Sequence, residues 1–259
     1  MSGDFWIESH LLYTFWMIKL LKKHLHRIVN SLGYEIVHSS LSVNPRIALG
    51  VAIRNNPGIQ TVIDIGASDG RWTSIVEKII PKANFLLFEA APFHFSALKQ
   101  LEKKENYFIE YLAASDHMGT VNFHLDSSNP LGGGANSVHG KKHPQPVPSN
   151  TIDNVVSARN LVGPFILKLD TQGHEVEILS GAKQTLNQTK FIVMEVYTID
   201  EPGRLAFDEI CLLLRGYGFR AAGIMGILNR PIDGVWWQAD FVFIRDSSPV
   251  FKNFNFRSE

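Results

Sequence analysis

The segment at residues 61–70, TVIDIGASDG, constrains the fold of this chain more than any other. Residues 61–65 are apolar or β-branched except for Asp64, a pattern typical of a short strand that is buried on both faces. A turn bounded by glycines follows, and residues 71–80 continue with apolar side chains at helical spacing. Strand, glycine turn and helix form the first unit of a doubly wound α/β fold, whose ligands bind outside the carboxyl ends of the strands.

The position of the glycines indicates the kind of ligand. A dinucleotide motif reads G-x-G-x-x-G, and its middle glycine lets the backbone approach a pyrophosphate. Here Ser68 occupies the middle position between Gly66 and Gly70, so the turn favours a ligand without a pyrophosphate, such as S-adenosylmethionine. Asp64 also has a structural interpretation, because an acid at a strand end can accept hydrogen bonds from the backbone of the next turn.

Glu89 follows the next short apolar run, residues 84–88. An acid at the end of the second strand can accept hydrogen bonds from both ribose hydroxyls of a nucleoside ligand. The alternative is a solvated carboxylate at a strand end. We favour the ribose role because the motif at residues 64–70 comes before it.

The composition narrows the classes of protein to consider. A chain of 259 residues that is 45% hydrophobic can bury one large core. Its 25 basic and 25 acidic residues cancel, so the overall charge indicates no nucleic-acid partner. The single cysteine, Cys211, excludes an internal disulfide framework and favours a reducing, cytoplasmic location.

Residues 1–56 are expected to form a helical extension ahead of the main domain. From residue 18 the pattern is amphipathic, with basic side chains on one face and aliphatic side chains on the other. One interpretation is a helix within residues 5–32 that rests on anionic lipid as a peripheral membrane contact. The other, which we favour, is a helix packed on the domain or on a second copy in a homo-oligomer.

Strands and helices alternate through residues 57–246, the predicted main domain, and a polar tail is predicted over residues 247–259. The pattern predicts one strand at 107–114 and one helix at 174–184. Residues 131–150 interrupt the alternation with consecutive glycines, basic and imidazole side chains and three prolines. Such long loops are often functional, so this segment either governs use of an anionic or hydroxylated acceptor or is an irregular surface excursion.

Residues 165–170, FILKLD, read as another buried strand. The alternation of side chains along a strand puts Lys168 and Asp170 on the same face. A lysine in a buried strand is costly unless it is paired. We therefore expect an acidic partner for Lys168.

Several segments together resemble the FkbM-type methyltransferases. The resemblance covers roughly residues 61–245 and implies an α/β class I methyltransferase (Rossmann-like) fold with a seven-stranded, mostly parallel sheet. It also implies S-adenosylmethionine as the methyl donor, and acceptors that are hydroxyl groups of sugars, glycolipids or natural products. The segments that carry it are DIGASDG at 64–70, Glu89, ASD at 114–116 with Gly119, NTID at 150–153, LKLDTQGHE at 167–175 and LSG at 179–181.

The resemblance also implies a set of cofactor-binding residues. The turn after the first strand would shape the methionine and ribose pocket, and Glu89 would hold the ribose. The residues after the third strand would lie beside the adenine, and Asp170 would lie near the sulfonium. The complete set is Asp64, Gly66, Ala67, Ser68, Asp69, Gly70, Glu89, Ala90, Ser115, Asp116 and Asp170.

Methylation of a hydroxyl group calls for a base, because the oxygen is a poor nucleophile until its proton can leave. Asp170, His174 and Glu195 lie at strand ends and are the candidate catalytic residues. Imidazole groups in general suit this role at neutral pH, although the His174 side chain can also simply pack over its turn. Asp170 and Glu195 offer oxygen ligands that would suit Mg²⁺, but two carboxylates alone do not define a metal site.

Two other functions stay open at this point. One is an NAD-dependent oxidoreductase on the same general fold, against which Ser68 argues. The other is a non-catalytic module that binds S-adenosylmethionine or acts as a membrane scaffold through its amino-terminal helix. Production of S-adenosylhomocysteine would distinguish an enzyme from such a module.

Overall fold

The computed structural model describes residues 45–125, 144–199 and 203–253, together with seven positions between 21 and 31. Contacts divide the chain into two units, residues 1–42 and 43–259. In the first unit the described positions are helical, as the amphipathic pattern predicts, and Leu21, Leu25 and Ile28 are exposed. Residues 131–143 of the predicted acceptor loop lie outside the described residues.

The second unit is built from ten short strands and seven helices within the described ranges. The strands are β1 (Thr61–Ile65), β2 (Asn84–Phe88), β3 (Tyr107–Glu110), β4 (Ala113–Ala114), β5 (Gly119–Phe123), β6 (Gln145–Asn150), β7 (Phe165–Leu169), β8 (Thr189–Tyr197), β9 (Phe219–Asn229) and β10 (Trp236–Arg245). The helices are α1 (Pro45–Asn55), α2 (Arg71–Glu77), α3 (Phe95–Leu101), α4 (Ile152–Ala158), α5 (Glu175–Ser180), α6 (Lys183–Asn187) and α7 (Phe207–Gly216). None of the described helices is long and apolar enough to cross a bilayer.

Seven strands form one sheet in the order β3-β2-β1-β7-β8-β10-β9. The first five are parallel to one another, and β10 runs antiparallel to both β8 and β9. The strand order reverses between β1 and β7, and in such sheets the ligand crevice opens at this point. The predicted seven-stranded, mostly parallel α/β sheet is confirmed.

Each face of the sheet is covered by its own apolar cluster. One cluster includes Leu167, Ile192 and Phe243, and the other includes Val62, Phe85 and Val193. Helix α1 lies within the predicted extension, yet its Leu49 and Ile53 are buried in the second cluster. The division of the chain at residues 56 and 246 stays a prediction.

A separate three-stranded sheet has the order β4-β6-β5. The prediction of a single strand at 107–114 was wrong, because β3 lies in the large sheet and β4 in the small one. The prediction of an irregular loop up to residue 150 was wrong for its last six residues, which form β6. The prolines in this segment obscured the alternation of buried and exposed residues that is typical of a strand. Its Val147 and Ser149 are buried, while the alternating Pro146 and Pro148 are exposed.

The predicted helix at 174–184 is also wrong as a single element, since it breaks at Gly181 into α5 and α6. Gly181 touches the backbone of Ser115, where a Cβ would lie 2.1 Å from the carbonyl oxygen. Helix α6 is capped from outside by the Asp153 carboxylate. Its oxygens accept hydrogen bonds from the backbone N–H groups of Gln184 (2.9 Å) and Thr185 (2.8 Å).

Candidate active site

The glycine turn after β1 is packed against the end of β7. Gly66 has a φ of +76°, and a Cβ at this position would lie 2.1 Å from the carbonyl oxygen of Asp170. The backbone N–H groups of Gly66 and Ala67 both donate to the carbonyl oxygen of Phe88, each at 3.0 Å. Only a residue without a side chain fits here, so Gly66 holds the ends of β1, β2 and β7 close together.

Glu89 joins the end of β2 to the glycine turn. Its Oε1 accepts a hydrogen bond from the backbone N–H of Ala91, and its Oε2 accepts one from that of Ser68, both at 2.7 Å. The side chain is buried, and burial raises the pKa of Glu89. The alternative of a solvated carboxylate is therefore wrong. Each oxygen keeps a second lone pair that can accept a further hydrogen bond.

Lys168 lies between two acids, as its burial in β7 requires. Its Nζ is 3.3 Å from Asp64 Oδ1 and 3.1 Å from Asp170 Oδ2. Burial alone would lower the pKa of Lys168, but the two carboxylates raise it above its ordinary value. The other oxygen of Asp64 accepts a hydrogen bond from the Thr73 hydroxyl at 2.5 Å. The prediction of an acidic partner for Lys168 is thus met by two residues, Asp64 and Asp170.

His174 makes one of its two polar contacts with Ser115, a residue predicted to lie beside adenine. Its Nε2 is 3.1 Å from Ser115 Oγ, and its Nδ1 is 3.4 Å from Glu177 Oε2. Ser115 is fully buried and donates to Asp116 Oδ1 at 3.2 Å. The structure thus brings His174, Ser115 and Asp116 together.

Glu195 is the centre of a hydrogen-bond network across β8 and β10. Its Oε2 accepts hydrogen bonds from Gln172 Nε2 (3.0 Å) and the Tyr197 hydroxyl (2.5 Å), and its Oε1 accepts one from Gln238 Nε2 (2.6 Å). The Arg204 guanidinium donates to Gln172 Oε1 and lies 4.0 Å from the centre of the Tyr197 ring. Burial, reinforced by the charge of Asp170, raises the pKa of Glu195 to about 8.

Sequence reasoning missed three members of this network, Gln172, Arg204 and Gln238, and it also missed Asp240, which lies beside the network. Asp240 lies directly opposite Glu195 in the antiparallel pair of β10 and β8. Burial, and then the charge of Asp170, raises the pKa of Asp240 to about 6. The available signal was the pair of polar residues at 238 and 240 in an otherwise apolar strand.

The side chains at this end of the sheet include more carboxyl groups than ammonium groups. Among the described residues, four carboxyl groups interact electrostatically with the ammonium group of Lys168, those of Asp64, Asp170, Glu195 and Asp240. A cationic ligand would relieve this imbalance, and S-adenosylmethionine carries both a sulfonium and an ammonium group. Within the described ranges no cluster of three or more His, Cys, Asp or Glu side chains could hold a metal ion. The excess of carboxyl groups fits a cationic nucleoside cofactor.

The raised pKa of Glu195 predicts a stability that depends on pH. Its folded value of about 8 exceeds the ordinary 4.5, so the folded state binds this proton more tightly. We therefore expect the free energy of unfolding to fall as the pH rises from 4.5 to about 8. Urea unfolding of the wild type and of Glu195→Gln across this range measures the effect. The variant should show a weaker dependence, and equal slopes would contradict the prediction.

Comparison with known proteins gives a family and several relatives. Residues 64–221 match the model of the Methyltransferase FkbM domain. The 2-O-methyltransferase NoeI of Sinorhizobium fredii is 26% identical over 199 residues, which are 69% of this chain and 79% of NoeI. The hexuronic acid methyltransferase AglP of Haloferax volcanii is 26% identical over 143 residues, 54% of this chain and 56% of AglP. The crystal structure of methyltransferase FkbM from Methylobacillus flagellatus KT is 13% identical, with a TM-score of 0.45 over 71% of this chain and 43% of that one.

Proposed function

The chain belongs to the FkbM methyltransferase family, and on this premise we propose that it transfers a methyl group from S-adenosylmethionine to a hydroxyl group of a sugar or a similar hydroxylated acceptor. The observation that carries the proposal is the excess of carboxyl groups around Lys168 at the carboxyl ends of β1, β7 and β8. Family membership excludes the NAD-dependent oxidoreductase. The sugar acceptor is supported by the names of the relatives, one a 2-O-methyltransferase and one a hexuronic acid methyltransferase.

The residues of this chain divide between cofactor and acceptor. Glu89 would accept hydrogen bonds from the ribose hydroxyls on its remaining lone pairs, while its bonds to Ser68 and Ala91 fix its position. The other residues of the glycine turn, Asp64, Ala67, Asp69 and Gly70, would shape the same pocket together with Ala90. Ser115 and Asp116 would bind the adenine edge. His174 contacts Ser115, so we place it on the adenine side rather than at the acceptor.

Bound S-adenosylmethionine supplies a methyl group that its sulfonium has already activated. The main task of the protein is therefore to align the acceptor oxygen with that carbon. Asp170 would lie near the sulfonium and would complement its positive charge. Glu195 accepts three hydrogen bonds from side chains, and its role would be to hold Gln172, Tyr197 and Gln238 in fixed positions around the acceptor.

Cofactor binding gives the first prediction for this function. A ligand that binds only the folded state stabilises it by about 2.7 kcal/mol at a hundredfold excess over its dissociation constant. We expect S-adenosylmethionine, and not NAD, to raise the melting temperature, and Glu89→Ala to lose most of this shift. The matched control is Glu110→Ala, since Glu110 ends the adjacent strand β3 and pairs with Arg159 at 2.8 Å. A full shift in the Glu89 variant would contradict the ribose role.

Turnover tests the reaction itself. The protein is incubated with methyl-labelled S-adenosylmethionine and a panel of p-nitrophenyl glycosides of neutral hexoses and hexuronic acids, and the products are analysed by mass. We expect a singly methylated glycoside and an equal amount of S-adenosylhomocysteine. Cofactor binding without any methylated glycoside would count against a sugar acceptor, and binding without turnover on any hydroxyl compound would favour the non-catalytic module.

The amino-terminal segment stays outside this proposal for the site. Contact of residues 5–32 with a membrane, self-association, and control of the acceptor by residues 131–143 all remain predictions. Sedimentation with anionic vesicles at low and high salt would distinguish lipid contact from packing, because attraction between exposed charges is screened by salt.

A further inference from the structure

Asp240 lies on β10 beside Glu195 and is not assigned by the family resemblance. It stands opposite Glu195 in the pairing of β10 with β8. Lys168 is opposite Val193 in the neighbouring pair, so Lys168, Glu195 and Asp240 all point to the same face of the sheet. On the other side of Asp240, its partner on β9 is Met225, which is buried and uncharged. Asp240 itself is only partly buried.

Apart from the fully buried Asp64, the three carboxyl groups of this region, those of Asp170, Glu195 and Asp240, differ in how their oxygens are engaged. Both oxygens of Glu195 accept hydrogen bonds, three in all. Asp170 is paired with Lys168, whose Nζ lies 3.1 Å from Oδ2. Within residues 45–125, 144–199 and 203–253, the Asp240 carboxyl group has neither a hydrogen bond nor an ion pair. Among these three groups, within the described residues, it is therefore the one with both oxygens free of such contacts.

We propose that Asp240 is the general base, and that its carboxylate takes the proton of the acceptor hydroxyl during methyl transfer. This inference rests on the proposed function. The acceptor oxygen forms a bond to the methyl carbon, while the bond from that carbon to sulfur breaks and its electron pair goes to the sulfur. The hydroxyl proton moves to an Asp240 oxygen. The products are a methyl ether, neutral S-adenosylhomocysteine and protonated Asp240, which then releases its proton to water.

The charges around Asp240 suit this role. Burial raises its pKa, as does Asp170, while Lys168 lowers it, and the resulting value is about 6. At neutral pH the group is then ionised but still has appreciable basicity, which is the condition for effective general-base catalysis. Glu195 does not compete, because both of its oxygens already accept hydrogen bonds from Gln172, Tyr197 and Gln238. Asp170 is already engaged with Lys168, whose Nζ lies 3.1 Å from its Oδ2.

The test compares Asp240→Asn with Asp208→Asn, which removes an exposed acid in the first turn of α7. Single-turnover rates are measured from pH 5 to 8 at saturating S-adenosylmethionine, on the glycoside that the wild type methylates best. For Asp240→Asn we expect a rate lower by about 10²–10⁴-fold, loss of the rise in rate near pH 6, and an unchanged thermal shift with S-adenosylmethionine. Asp240→Glu should regain part of the rate.

The other possible results would contradict either the role of Asp240 as the general base or the proposed methyltransferase function. A rate and pH profile like those of the wild type in Asp240→Asn would overturn the base role, as would loss of cofactor binding, which would make Asp240 structural. A wild type that binds the cofactor but methylates no glycoside contradicts the proposed function instead. A second measurement needs no acceptor. In ¹³C NMR of labelled aspartate carboxyl groups, the wild type should show one group that titrates near pH 6, and this signal should be missing from Asp240→Asn. If the wild type lacks this signal, the inference is overturned.

Discussion

Replacing Gly66 with alanine is expected to abolish S-adenosylmethionine binding and to destabilise the fold. The new Cβ would lie 2.1 Å from the carbonyl oxygen of Asp170, and the backbone φ of +76° disfavours any side chain. The left-handed conformation alone costs about 1–2 kcal/mol. The overlap can be relieved only if the turns after β1 and β7 move apart. Both turns contribute to the proposed cofactor pocket, so binding should be lost with stability.

The matched control for this variant is Gly58→Ala. Gly58 has a similar φ of +82°, but a Cβ there would meet nothing within 4 Å. The Gly58→Ala variant therefore has the cost of a left-handed backbone conformation without the steric overlap that Gly66→Ala would create. Denaturant unfolding and calorimetric titration with S-adenosylmethionine should show a small loss of stability and normal binding for Gly58→Ala. Similar results for the two variants would mean that the contact between Gly66 and Asp170 has no special role.

Replacing Lys168 with methionine is expected to cost about 3–5 kcal/mol of folding free energy, because it leaves the buried carboxylate of Asp64 without its cation. Asp64 is fully buried, and its Oδ1 makes no hydrogen bond within the described residues, so the ion pair to Lys168 is its compensation. Without the lysine, the pKa of Asp64 should rise further above its ordinary value. The loss of stability should therefore shrink as the pH falls and Asp64 takes up a proton.

Two further variants test the predicted effect of Lys168→Met, with the free energy of unfolding measured by urea at several pH values. Lys104→Met removes an ion pair of similar length, 2.7 Å to Glu77, whose lysine side chain is 43% exposed, and exposed pairs contribute about 0–1 kcal/mol. Adding Asp64→Asn to Lys168→Met should recover part of the loss. If Lys168→Met and Lys104→Met cost the same, the buried ion pair does not stabilise the fold as we describe.

The parallel half of the sheet could be predicted from the sequence because its signals are local. Strands β1, β2 and β7 are short apolar runs, each ending near a polar residue, and strands buried on both faces have this pattern. The carboxyl ends of parallel strands lie at one edge, so Asp64, Glu89 and Asp170 could be placed together before their contacts were known. The partner of Lys168 followed from the cost of burying an unpaired charge.

The surroundings of Glu195 could not be predicted from the sequence, because the contacts there depend on pairing between distant parts of the chain. Gln238 and Asp240 approach Glu195 only through the antiparallel register of β10 with β8. Nothing in the local pattern fixes that register. The break between α5 and α6 has a similar origin, since it depends on contact of Gly181 with Ser115. Local propensity at residues 174–184 favours a continuous helix, and tertiary packing overrides it.

The capping of α6 by Asp153 indicates which segments must be exchanged together when chimeric enzymes are built from members of this family. The carboxylate that ends the NTID segment does not reach the cofactor turn but binds the amino terminus of α6, and the Asp153 backbone N–H donates to the Gly181 carbonyl oxygen at 3.1 Å. Residues 150–153 and 181–185 therefore behave as one exchangeable block. A graft from another member that replaces one segment without the other would leave α6 without its cap, whereas a joint exchange would keep the interlock intact.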